Sequence, residues 1–121
     1  MTSTGQARGT AGGGRALRII VVAPELATLK GPVTGVHRLP LHLDSSAAAT
    51  YDFADPHRRG LAYRTVLVEA GSERDLTAWL EQDALIEFWS DLYLPRPVRR
   101  AWEDRHPELA RRGVGPDVPM A

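Results

Sequence analysis

Apolar side chains recur at helical spacing from residue 55 onward and lose that rhythm before it. Tyr63, Val66, Leu67 and Ala70 fall at i, i+3, i+4 and i+7, which puts them on one stripe of a helix. Asp55 before Pro56 predicts an N-cap followed by a proline in the first turn, and Gly71 suits the position that closes the helix. Ser72, with Asp75 three residues on, is a variant of the capping box and opens a second helix whose apolar face is Leu76, Trp79 and Leu80. Asp83 is placed to cap a third helix. Its stripe is Leu85, Phe88, Trp89 and Leu92, widened by Ile86 and Tyr93. Pro95 and Pro97 stop that helix and begin a fourth, with Val98, Ala101 and Trp102 facing inward and Pro107 at its end.

Upstream the pattern breaks up. Residues 1–14 hold no large apolar side chain and cannot offset the entropy of ordering, so they read as a disordered tail. Leu17 to Val22 is rich in β-branched residues and predicts at most one short strand. No partner strand for it is evident nearby; Pro24, Gly31, Pro32, Gly35 and Pro40 interrupt the next stretch, and Val36 to Leu43 is at best an extended segment, either docked on the helical core or sticky. All eight aromatic residues lie between Tyr51 and Trp102. Aromatic rings dominate small cores, so the core belongs there, around three tryptophans on consecutive helices. The expected fold is mainly α: a small bundle of three to four short helices. The expected organisation is a flexible or poorly ordered N-terminal extension over 1–38, a helical domain over 39–110 and a C-terminal tail over 111–121.

Composition removes several chemistries. The chain has no cysteine, which excludes disulfides, thiolate zinc sites and a cysteine nucleophile. The lack of cysteine also fits a reducing cytoplasm, the expected location, and no run of 18 apolar residues is present, so no membrane span is expected. His37 and His42 are five apart, but Pro40 breaks the helix that would align them, and a zinc site needs further ligands. His57 sits in a first turn and His106 in a last turn, where the helix dipole favours a cation. Asp44-Ser45-Ser46 reads as a turn, because serine nucleophiles need a positioned base and an oxyanion site. The three glycines at 12–14 precede the possible strand, the wrong order for a phosphate loop. No metal, cofactor or catalytic set is expected.

Formal charge is zero overall but segregated. Residues 1–60 carry seven basic and four acidic groups, residues 61–95 two and seven, and residues 96–121 six and four. An acidic middle disfavours nucleic acid as the main partner and favours a protein. The candidate partner-binding residues are Arg96, Arg99 and Arg100 at the start of the last helix and Glu81, Glu87 and Asp91 on the acidic stretch.

Leu39 to Leu109 resembles a group of small uncharacterised actinobacterial helical proteins. The resemblance is carried by Tyr51-Asp52-Phe53 with Asp55, by Tyr63 with Val66-Leu67 and Glu69, and by Asp75-Leu76. It continues through Trp89, Leu92, Leu94-Pro95 and Val98-Arg99-Arg100-Ala101-Trp102-Glu103. These are mostly packing residues, so they mark kinship rather than chemistry. Such proteins resemble companions of nucleotidyltransferase-type toxins, which implies an antitoxin-like binding role. The function expected from residues and resemblance together is a small non-enzymatic protein–protein interaction module. The alternative is a DNA-binding transcriptional regulator that uses the Arg96/Arg99/Arg100 cluster.

Overall fold

The structure, a computed structural model, describes residues 19–111. It is mostly helical, with one small sheet. A 3₁₀ turn at Leu26–Thr28 precedes strands β1 (Val36–Arg38) and β2 (Thr50–Asp52). Then come α1 (Pro56–Glu69), α2 (Glu73–Trp79), α3 (Gln82–Phe88), a second 3₁₀ turn at Trp89–Asp91, α4 (Arg96–Arg105) and α5 (Pro107–Ala110).

The helix starts follow side-chain caps. The Asp55 carboxylate accepts the His57 N–H at 3.0 Å, and Pro56 occupies the first turn as predicted. Ser72 Oγ accepts the Asp75 N–H at 3.4 Å. Ala70, with ψ 134°, is the last half-helical residue of α1, so Gly71 falls at the closing position predicted for it; its φ is not positive, and its N–H donates to Asp75 Oδ2 at 3.0 Å. That carboxylate therefore ties the end of α1 to the start of α2. Glu81, not Asp83, caps α3: its backbone is extended and its carboxylate accepts the Ala84 N–H at 2.8 Å. Asp83 lies inside the first turn, where a negative charge complements the N-terminal dipole. Pro107 ends α4 and also opens α5, a helix the spacing did not predict.

Residues 19–22 form no strand; Leu17 and Arg18, the start of the predicted one, lie outside the described residues, as do the tails 1–14 and 112–121. The strand partner for Val36–Arg38 is Thr50–Asp52, paired antiparallel with His37 opposite Tyr51. β2 escaped the pattern because it is three residues long and only Tyr51 is buried in it.

The core starts earlier than residue 39. Ala23, Leu26 and Leu29 are buried at 0%, 4% and 2% exposure. Residues 23–31 run as a strap over the helices. Its Lys30 N–H donates to Thr77 O at 3.0 Å and its Gly31 N–H to Leu80 O at 2.6 Å. At its other end, His106 Nε2 donates to Ala23 O at 2.6 Å, and Arg105 reaches Pro24 O at 3.3 Å through Nε and Nη2. His106 is thus a buried clasp at the end of α4. The tryptophans divide into two groups rather than one. Trp89 and Trp102 are fully buried with ring centres 6.3 Å apart, and His106 lies 5.8 Å from Trp102. Half-buried Trp79 instead packs 6.1 Å from Phe53 and 6.3 Å from His37.

Candidate functional site

α1 buries Ala62, Tyr63, Val66 and Leu67 and turns His57, Gly60, Leu61 and Arg64 outward. Spacing of three and four places the second set on one face. That face forms one wall of a groove of about 280 Å³, and Phe88, Asp91, Leu92 and Tyr93 form the other. Gly60 matters to its floor, since a Cβ there would stand 3.7 Å from Leu92 Cδ2 and partly fill the groove. Arg64 Nε donates to Tyr93 O at 2.7 Å and holds the second wall against the first.

The groove is apolar within and charged at both lips. Leu61 and Tyr93, both large and apolar, are 38% and 66% exposed. Arg64 and His57 stand on the α1 side. Asp91 stands on the other; Asp83 and Glu87, on α3, are exposed as well.

Beyond Arg64 lies a second, polar cavity of about 340 Å³, bordered by the turn of residues 41–45 and by Thr65. Its ionisable groups are already engaged. Asp44 accepts the Ser46 N–H at 2.9 Å and the Tyr51 hydroxyl at 2.8 Å. Hydrogen bonds from Ser46 and then from Tyr51 lower the Asp44 pKa below its ordinary value. Burial, then the hydrogen bond to Asp44, raises that of Tyr51. His42 Nε2 donates to Asp75 Oδ1 at 2.7 Å. For Asp75 burial opposes ionisation, but the bonds from His42 and the Gly71 and Ser72 segment prevail, and its pKa is lowered. The His42 contact fastens the 40–46 turn to α2, and the Tyr51 contact fastens it to β2. No group of three or more metal-ligating side chains gathers among the described residues. His37 is drawn away from His42: its Nε2 donates to Thr34 O at 2.8 Å and its ring meets Phe53 edge-on at 5.3 Å.

The three arginines predicted to act together separate. Arg99 is 4% exposed and turns inward, donating Nη1 to Trp89 O at 3.3 Å and Nη2 to Leu92 O. Its guanidinium lies 5.1 Å from the Trp89 ring centre and 3.7 Å from Glu103. Glu103 in turn accepts the Trp89 indole N–H at 2.8 Å. Arg99 is therefore a structural cation that closes the turn between α3 and α4, and it leaves the surface cluster. Arg96 and Arg100 remain exposed on α4. Among the acidic candidates Glu81 is a half-buried cap, whereas Glu87 and Asp91 are exposed.

Leu61, Arg64 and Tyr93 were not among the predicted site residues. Leu61 sits off the Tyr63/Val66/Leu67 stripe, and that misplacement of a leucine is the signal the sequence did contain. Tyr93 is four residues past Trp89 and on a regular helix would share its inward face. The tightening to a 3₁₀ turn at Trp89–Asp91 and the extended Leu92 turn it outward instead.

No family model matches the chain, and no curated protein or solved structure matches it.

Proposed function

We propose that this chain is a non-enzymatic protein-interaction module of the antitoxin-like or regulatory kind, and that its contact face is the groove between α1 and the Asp91–Tyr93 segment. The supporting observation is the pairing of exposed Leu61 and Tyr93 across an apolar floor with charge at both lips. Apolar centres with polar rims are how protein interfaces combine affinity with solubility. The polar cavity supports no competing reading, because its His and Asp side chains are engaged in holding a turn. The DNA-binding alternative retains Arg96 and Arg100 but loses Arg99 to the interior.

Affinity purification of the full chain from its native host tests the reading. The expected result is a stoichiometric companion, a second copy of the chain included, that is lost in Leu61→Asp and in Tyr93→Ser. A monomer with no companion would overturn it. Salt-dependent binding to duplex DNA that disappears in the Arg96→Ala, Arg100→Ala double variant would replace it with the regulator.

A further inference from the structure

We draw no further inference here: the strongest candidate, the open apolar groove between α1 and the Asp91–Tyr93 segment, belongs to the site already described, and nothing in the structure shows what covers it.

Discussion

Arg99 is buried although its neighbour Arg100 on the same helix is exposed. Two carbonyls, a carboxylate and an indole face take up its guanidinium. Removing one side of such an arrangement leaves buried acceptors unpaired, so Arg99→Ala is expected to cost about 3 kcal/mol, read as a lower urea midpoint. Arg99→Lys is expected to recover little, since an ammonium cannot span both carbonyls as a planar fork does. Gly31 is a second position with no latitude: a Cβ there would lie 2.4 Å from the Trp79 carbonyl carbon, and backbone cannot yield as a side chain does. Gly31→Ala is expected to destabilise by about 2 kcal/mol through displacement of the strap. Neither position was legible in the sequence. Arg99 shares its helix with Arg96, Arg100 and Arg105, and only the proximity of the Trp89 and Leu92 carbonyls, set by tertiary structure, draws it inward. Gly31 reads there as one more loop glycine.

At the scale of elements, the local signals that the sequence carries are those satisfied within one turn of chain. Asp55-Pro56 and Ser72-Asp75 are such signals, and both helix starts lie where they point. The stripe Tyr63, Val66, Leu67 and Ala70 is buried throughout. What was illegible depends on contacts between distant segments: β2 as partner to β1, the tightening after Phe88 that exposes Tyr93, and the strap of residues 23–31. The strap's buried positions, Ala23, Leu26 and Leu29, recur every three residues over too short a run to mark an element, and their burial depends on partners remote in sequence, such as His106 on Ala23 O. His106→Phe keeps a ring against Trp102 but removes the donor to that carbonyl. Faster amide exchange at Lys30 and Gly31, with protection within α1 unchanged, is the expected outcome. Equal loosening of α1 would show that the strap and the bundle open as one unit.

For the whole molecule, stability has an acid and an alkaline limb. Asp44 and Asp75 are held below their ordinary value of 3.8, so their contribution is full above that value and is lost as pH falls through the lowered folded values. Tyr63, pushed up to about 12 chiefly by burial, contributes fully below its ordinary 10.0 and loses that contribution as pH rises toward 12. Urea midpoints are therefore expected to fall at both extremes, and the Asp44→Asn, Asp75→Asn double variant is expected to flatten the acid limb only. An open apolar groove with Leu61 and Tyr93 exposed along it carries the proposed function. Its most direct test is a pair of two-dimensional amide spectra of the chain, alone and with the companion that copurifies with it from the native host. Shifts at Gly60, Leu61, Arg64, Asp91 and Tyr93 are the expected result. Shifts confined to the β1–β2 sheet or to α4, or spectra unchanged by the companion, would contradict the proposal.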